Sequence, residues 1–396
     1  MSLPSWRTPS PWAIHDRSNP RRNRRLHRRT SCPPADRRSI AVRPGRGERQ
    51  EGSPMTAVVP DAREAAKLRY LIESHVVSQV VAEAARLGVA DELADGPRPV
   101  RELAAATGAH EGALRRFLGA CVAAGLLTPH DGDRFALTPL GAVLRSGEGS
   151  LRNYAISRLA PLQWRPWERL HDTILSGEPS QRAVLGMDMW EYLDTHPEEG
   201  YYFDRTMDEL TAVVADKLIA TVDFTRYGRI VDVGGGLGRL LGKILAAAPR
   251  ARGVLFDRAD VIERAKADLA ARGQDGRIEP VAGNFLAEAP PGGDLYLLKQ
   301  VLCDWNDEHC RAILDSCYRA APGGSTLLLI EVLRPDEVTS SPVHFFDLGL
   351  LLTLDGRIRT REEYRSLLES VGYRLGEVVT AAGGANSWSL LTAHKD

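Results

Sequence analysis

The spacing of apolar residues changes past the middle of the chain and predicts two kinds of architecture. In the first part, apolar positions recur at intervals of three and four residues, as at Val76, Val80, Ala84 and Leu87, which is the period of an amphipathic helix. From residue 229 onward, short apolar runs alternate with amphipathic segments, a pattern typical of an α/β fold with a parallel, doubly wound sheet. The predicted strands are 229–233, 253–257, 278–282, 294–298, 326–332 and 387–393.

The helical part contains a second pattern, because a short strand pair is predicted at 134–139 after several helices. Helices followed by a small hairpin predict a winged-helix-like fold between about 61 and 156. Such folds can read DNA through a recognition helix. The corresponding helix here carries only Arg115 and Arg116, so we favour a dimerisation or lid role over DNA binding.

Residues 1–54 differ in composition from everything that follows. They contain thirteen arginines, no lysine and four acids, giving a net charge of +9, whereas residues 55–396 carry −10. A stretch rich in Arg and Pro buries too little apolar surface to fold. We interpret it as a disordered leader that need not be native, with a targeting presequence or a nucleic-acid arm as alternatives. The acidic body does not offer the concentrated positive charge that nucleic acid requires.

The cysteine spacing and the length of the apolar runs give no indication of a metal site, a redox pair or a membrane span. Cys32, Cys121, Cys303, Cys310 and Cys317 form no C-x-x-C pair, so the sequence indicates neither a zinc site nor a redox pair, and we expect no metal. We expect reduced thiols in a cytoplasmic protein. No run of eighteen apolar residues occurs, so we expect no membrane span.

A glycine loop follows the first predicted strand of the α/β region. Asp232 and Val233 lead into Gly234-Gly-Gly-Leu-Gly238, and a predicted helix comes next. Glycines in such a turn let the backbone pass close to a ligand, and the free amides of the helix can meet its anionic end. Dinucleotide-binding turns place their third glycine one residue later, where this chain has Arg239. A P-loop is excluded because no Gly-Lys-Ser/Thr follows.

The next two strand ends supply further groups for a nucleoside. Asp257 ends the second strand, where its carboxylate can accept both hydroxyls of a ribose, and Arg258 follows it. Asn284 ends the third strand and offers a donor and an acceptor to an adenine edge, while Phe285 offers a face for stacking. Because open α/β sheets bind ligands at the carboxyl ends of their strands, the sequence predicts one crevice that holds an adenosyl cofactor.

At this point the chain resembles the plant-type small-molecule O-methyltransferases and their bacterial relatives in antibiotic biosynthesis. The resemblance runs from about Val76 to Leu391. The residues that carry it include Met189-Trp-Glu-Tyr192, Phe203-x-x-x-Met207, the glycine loop, Asp304-Trp305 and Pro322-Gly-Gly324. It implies S-adenosylmethionine as cofactor, a Rossmann-like class I methyltransferase sheet, and a homodimer formed through the winged-helix-like region. The domains expected are a leader at 1–54, a dimerisation domain at 55–156, a helical linker contributing to the substrate pocket at 157–225, and a cofactor-binding catalytic domain at 226–396.

The resemblance also assigns residues to the cofactor and to the substrate. The cofactor-binding residues that we expect are Asp232, Gly234, Gly236, Asp257, Arg258, Asn284, Phe285, Lys299 and Thr211. The family usually has Asp at the position of Asn284, so this contact keeps a hydrogen bond but loses a charge. Trp190, Met207, Phe346 and Leu350 predict a flat, apolar substrate.

The catalytic base of the family is replaced in this sequence. Plant members carry a His in the segment Val-Leu-His-Asp-Trp, where this chain has Cys303. We interpret Cys303 as a neutral thiol lining the pocket, with a proton acceptor as the alternative, since a thiolate would itself attack an activated methyl. Glu331 matches an acid of the family, and His344 is the substitute base that we favour.

The leading hypothesis is therefore an S-adenosylmethionine-dependent O-methyltransferase of a small aromatic or polyketide-like natural product. The loss of the His leaves alternatives open. One is methylation of carbon or nitrogen. Another is a diverged enzyme that binds the cofactor but catalyses a hydroxylation or a rearrangement. A DNA-binding regulator that uses the winged helix is the remaining alternative, although we expect no nucleic-acid partner and no membrane partner.

Overall fold

The computed structural model describes residues 61–381 and 388–396, and the predicted leader at 1–54 lies outside them. The chain divides into two compact units, residues 1–75 and 76–396. The described part of the first unit is helical and exposes Leu68, Leu71 and Ile72 to solvent. The elements up to residue 142 are α1 Ala62–Arg86, α2 Val89–Glu92, β1 Arg98–Pro99, α3 Val100–Thr107, α4 Glu111–Ala123, β2 Leu127–His130, β3 Arg134–Leu137 and α5 Pro139–Ala142.

Only one strand, β3, lies in the segment predicted as a strand pair at 134–139; its hairpin partner β2 precedes that segment, and β1 completes a three-stranded antiparallel sheet with the order β1-β3-β2. Leu103 of α3 and Leu118 of α4 are fully buried together with Cys121, so the helices pack on one apolar core. Arg115 of α4 donates hydrogen bonds to Glu111 and Asp133. These acids pair with one of the two arginines that a recognition helix would offer to DNA.

A helical segment connects this region to the large sheet. It consists of α6 Arg152–Arg158, α7 Pro161–Trp164, α8 Leu170–Ser176, α9 Gln181–Leu185, α10 Met189–Thr195 and α11 Pro197–Thr221, with a 3-10 helix at Arg165–Arg169. Asp188 begins α10, since its side chain accepts a hydrogen bond from Glu191 N. Helix α11 packs against α6 on one side, and it brings its residues to the edge of the sheet described next.

The α/β region contains a seven-stranded sheet with helices on both faces. Its elements are β4 Arg229–Val233, α12 Arg239–Ala247, β5 Arg252–Asp257, α13 Ala259–Ala271, β6 Ile278–Ala282, β7 Leu295–Lys299, α14 Asp307–Ala320, β8 Thr326–Val332, α15 Val343–Thr353, α16 Arg361–Ser370, β9 Arg374–Ala381 and β10 Trp388–His394. The strand order is β6-β5-β4-β7-β8-β10-β9. The predicted Rossmann-like class I architecture is confirmed.

The predicted parallel arrangement is present from β4 to β8 and reverses at one edge of the sheet. The strand predicted at 387–393 forms as β10, but it runs antiparallel to both β8 and β9, and β9 itself was not predicted. Parallel strands need a crossover of a dozen or more residues, usually a helix. Only six residues separate β9 from β10, so the two strands can only pair antiparallel.

Burial on both faces explains why the central strands read as continuous apolar runs. Ile230 of β4 belongs to the core on one face, and its neighbour Val231 belongs to the core on the other. All seven residues of β8 are buried, including Glu331. A carboxyl side chain in this position is an exception to the apolar pattern, and its surroundings are part of the site.

Candidate active site

The predicted crevice is present at the carboxyl ends of β4, β5, β6 and β7. It is a cavity of about 430 Å³. Strands β5 and β6 are added on one side of β4, and β7 is then added on its other side. The cavity lies at this switch point, where open α/β sheets bind ligands. The sequence-predicted residues that line it are Trp190, Met207, Thr211, Asp232, Gly234, Gly236, Asp257, Arg258, Asn284, Phe285 and Lys299.

The glycine loop forms one wall of the cavity through its backbone. Gly234, Gly236 and Gly238 have φ angles of 69°, 58° and 76°, which L side chains rarely adopt. A Cβ on Gly234 would lie 2.9 Å from Val301 Cγ2, whereas no atom lies within 4 Å of the Cβ position of Gly236. The backbone at Gly236 therefore faces open space that a ligand can fill, and α12 begins directly after Gly238.

Asp257 is fixed at the end of β5 by two backbone donors. Gly236 N and Arg258 N each donate to its carboxylate at 2.8 Å. Burial raises the pKa of Asp257, while these two hydrogen bonds lower it. Each carboxylate oxygen has a second lone pair, so the group can still accept hydrogen bonds from two hydroxyls of a ligand.

Asp232 supplies an unpaired acceptor at the base of the cavity. Its side chain is 2% exposed, and Oδ2 has no hydrogen-bond partner among the described residues. Burial raises the pKa of Asp232 to about 7, against the opposing effect of Lys299. A buried oxygen without a partner is costly, and the ammonium group of a methionine moiety is a donor that satisfies it. The residues present therefore fit S-adenosylmethionine.

Aromatic rings line the cavity next to Phe285, the residue expected to stack on the purine. The ring of Phe285 lies edge-on to Trp305 at 5.8 Å, and Trp305 lies nearly parallel to Trp190 at 6.1 Å. Asn284 Oδ1 accepts a hydrogen bond from Leu286 N at 3.0 Å, which leaves the amide nitrogen to donate. Flat apolar walls with a single amide suit a heteroaromatic ring. Trp305 belongs to the Asp304-Trp305 motif, but the sequence alone did not assign it to the site.

Helix α11 closes the cavity opposite the sheet and is held there by ion pairs. Asp208 Oδ2 accepts from Arg239 Nε at 2.7 Å, and Asp204 Oδ2 accepts from Arg264 Nε at 2.6 Å. These four residues line the cavity, and sequence reasoning missed them. The four-residue spacing of the two acids was the available signal, since it places both on one face of a helix. Thr211 donates its hydroxyl hydrogen to Met207 O at 2.6 Å.

None of the three predicted catalytic residues lines this cavity. Cys303 and Glu331 are 1% and 0% exposed and lie behind its wall. Burial raises the pKa of Cys303 well above its usual value, which keeps the thiol neutral. His344 lines a second cavity of about 650 Å³, and Thr339 N donates to its Nε2 at 3.4 Å. Its role as a base stays a prediction that the geometry does not favour.

Of the four predicted substrate residues, two line the cavity and two do not. Trp190 and Met207 line the cavity. Phe346 and Leu350 instead pack with Cys303 in an apolar cluster behind it. The period of an apolar helix does not distinguish a pocket wall from the packing that supports it. Phe346 and Leu350 are therefore not among the residues that line the cavity.

Comparisons with known proteins place this fold and site in a defined class. Residues 167–374 match the model of the O-methyltransferase domain, and residues 70–147 match that of the O-methyltransferase dimerisation domain. The chain belongs to this O-methyltransferase family. It is a methyltransferase that uses S-adenosylmethionine.

Individual relatives agree with the family match. The chain is 36% identical over 318 residues to phenazine O-methyltransferase PhzM of Lysobacter antibioticus, covering 80% of this chain and 93% of that protein. It is 36% identical over 304 residues to the mitomycin biosynthesis 6-O-methyltransferase of Streptomyces lavendulae, covering 76% and 86%. A solved structure of an O-methyltransferase from neocarzinostatin biosynthesis, in complex with S-adenosylmethionine and 2-hydroxy-5-methyl naphthoic acid, is also similar to this chain. The TM-score is 0.69 and the identity 29%, and the match covers 81% of this chain and 96% of that one. No helix among residues 61–381 and 388–396 is long and apolar enough to span a membrane.

Proposed function

We propose that this protein methylates a hydroxyl group of a small, flat aromatic or polyketide-like natural product. The observation that carries the proposal is the single cavity in which the glycine loop and Asp257 meet the aromatic walls of Trp190 and Trp305. One region of this cavity fits an adenosyl group, and the adjoining apolar walls fit a planar acceptor. The relatives that act on phenazine and mitomycin skeletons support an acceptor of this kind.

In this proposal the side chains divide the work of binding. Asp257 accepts the ribose hydroxyls, Asn284 and Phe285 contact the purine, and Asp232 accepts from the methionine end. S-adenosylmethionine supplies a methyl group on a positively charged sulfur. Because the positive charge on sulfur is neutralised by an anionic oxygen or dispersed onto a neutral one as the methyl transfers, a dry pocket favours the reaction. Met207 and Trp190 provide apolar surface and hold the acceptor in line.

The test is to measure S-adenosylhomocysteine release and product structure with hydroxylated phenazines, naphthoates and quinones. Mass spectrometry and NMR of the product locate the new methyl group. An O-methyl product supports the proposal. A methyl group on nitrogen or carbon assigns the alternative acceptors. Conversion of the acceptor without release of S-adenosylhomocysteine assigns a hydroxylase or a rearrangement catalyst instead.

We also propose that the protein is a homodimer. Helix α1 exposes Leu68, Leu71 and Ile72, whose side chains are 58%, 56% and 64% accessible. A row of large apolar side chains is costly in water and marks a surface that another chain covers. The match to a dimerisation domain supports a second copy as that chain. Analytical ultracentrifugation tests this, and a monomer at micromolar concentration contradicts it.

The cytoplasmic location expected from the cysteine pattern stays part of this proposal.

A further inference from the structure

One carboxyl group on the wall of the cavity has no part in the binding described above. Asp304 ends the 3-10 turn Leu302–Asp304, which directly follows β7. Asp304 lines the cavity with Lys299 and Trp305. Its neighbour Cys303 packs in an apolar cluster with Val332 and Leu350 and does not line the cavity. The chain therefore presents Asp304 to the cavity at the place where Cys303 is withdrawn from it.

The carboxylate of Asp304 is only partly engaged by the protein. Cys303 Sγ donates to Asp304 Oδ1 at 3.6 Å, and Oδ2 accepts no side-chain or backbone hydrogen bond from the described residues. Three other acids on the cavity wall differ, whereas Asp232 shares the feature of an unpaired oxygen. Asp204 and Asp208 accept from arginines, and Asp257 accepts two backbone donors. Asp304 is half-buried rather than sealed in the core, so Oδ2 is accessible to a molecule in the cavity.

The turn that carries Asp304 is held from several directions. Glu331 Oε1 accepts from Leu302 N at 3.1 Å, and Arg359 Nη1 donates to Leu302 O at 2.7 Å. Gly356 packs against the turn so closely that a Cβ there would lie 2.0 Å from Cys303 O and 2.5 Å from Asp304 C. A carboxylate on a backbone fixed in this way needs little reorganisation to meet its substrate.

We propose that Asp304 is the general base of this enzyme, with Oδ2 accepting the proton of the acceptor hydroxyl. This inference rests on the proposed methylation of a hydroxyl group. The acceptor oxygen keeps the electron pair of its O–H bond and uses it to bond the methyl carbon, while the pair of the broken S–CH3 bond stays on sulfur. The proton then passes from Asp304 to water. No other oxidant, reductant or co-reactant is needed.

The charges around Asp304 suit this task. Burial raises the pKa of Asp304 to about 7, while the hydrogen bond from Cys303 and the nearby charge of Lys299 act to lower it. Glu331 also faces this group, but burial raises its own pKa to about 8, so it is protonated and neutral near pH 7. A base is most effective when its pKa lies near the working pH. Asp304 therefore takes the place of the family His that Cys303 replaces.

The test compares Asp304→Asn with the wild type on two acceptors of one skeleton, an ordinary phenol and an electron-poor phenol that is already ionised near pH 7. We expect the variant to lose about 10²–10⁴ in kcat on the ordinary phenol and several-fold at most on the acidic one. The fall of wild-type kcat below about pH 7 should also disappear. Calorimetry with S-adenosylhomocysteine should give an unchanged Kd, because Asp304 is not assigned to the cofactor.

Two further variants keep the outcome interpretable. Asp304→Glu retains a carboxylate and should retain the acid limb of the pH profile, while Asp315→Asn on the exposed face of α14 should match the wild type. An equal loss on both acceptors, an unchanged rate, or a lost affinity for S-adenosylhomocysteine in Asp304→Asn each overturns the assignment. If the wild type binds the cofactor but methylates no hydroxyl in the panel, the proposed function fails first, before any variant is compared.

Discussion

Asp257 Oδ2 accepts the backbone N–H of Gly236 at 2.8 Å, and this bond ties the end of β5 to the glycine loop at the end of β4. This side-chain hydrogen bond therefore links the ends of two neighbouring parallel strands at the point where the cofactor is expected. The carboxylate has a double task. It shapes the loop before binding, and it is placed to accept ribose hydroxyls afterwards.

We therefore expect Asp257→Ala to reduce affinity for S-adenosylmethionine at least a hundredfold, because both the loop and a ligand contact are lost. Asp257→Asn keeps an acceptor for Gly236 N but loses the charge, so its loss should be smaller. Isothermal titration calorimetry checks both values, with circular dichroism to confirm the fold. Near-normal affinity of Asp257→Ala would contradict the assigned pocket.

Glu331 predicts a specific dependence of stability on pH. Burial raises its pKa to about 8 in the folded protein, and its usual value is 4.5. The folded state therefore holds a proton that the unfolded state releases between these values, so the free energy of unfolding falls as the pH rises from about 5 to 8. Glu331→Gln removes this titration and can keep the hydrogen bond from Leu302 N.

The measurement is the Tm of the wild type and of Glu331→Gln at steps between pH 5 and 8. We expect the wild type to lose several degrees relative to the variant across this range. Parallel curves for the two proteins would contradict a protonated Glu331. Glu331→Ala serves as the contrast, because it leaves Leu302 N without its partner and should lower the Tm at every pH.

The sequence predicted the sheet and the cofactor site better than the catalytic group. Strands β4, β6 and β8 were predicted with the same bounds, because β4 and β8 are largely apolar and glycines directly follow β4 and β6. Asp257 and Asn284 could be placed because strand ends of a parallel sheet share one edge. These predictions need only local periodicity and the topology of the fold.

The remaining features depend on tertiary contacts that no local pattern encodes. Strand β9 was missed because its partner is β10, and the sheet direction reverses there. The roles suggested for Cys303 and His344 depend on which way each side chain points, and a resemblance in sequence does not fix that direction. Asp304 directly follows Cys303 in the sequence, but only the structure shows that Asp304 lines the cavity.

Cys303 should tolerate a small polar replacement. Its thiol is 1% exposed, and burial raises its pKa well above the usual range, so it is a neutral donor to Asp304. Serine has a similar size and can donate the same hydrogen bond. We expect Cys303→Ser to retain kcat within about tenfold, since the donor to the base persists.

Steady-state assays of Cys303→Ser and Cys303→Ala check this prediction. The alanine variant removes the donor, so the pKa of Asp304 should rise and the acid limb of kcat should move to higher pH. A loss of several hundredfold in the serine variant would make the thiol itself a participant. The buried thiol should also react slowly with iodoacetamide in the native protein, compared with the unfolded chain.

Gly356 offers a test of how firmly the turn at Asp304 must be held. A Cβ at this position would lie 2.0 Å from Cys303 O, a distance that forces either the turn or the loop to move. We expect Gly356→Ala to cost about 1–3 kcal/mol in the free energy of unfolding and to lower kcat more than it changes the Kd for S-adenosylhomocysteine. Gly323→Ala is the matched control, because no atom lies within 4 Å of its Cβ position. Denaturant titration and calorimetry measure the two effects, and equal behaviour of the two variants would show that the close approach at Gly356 has no bearing on catalysis.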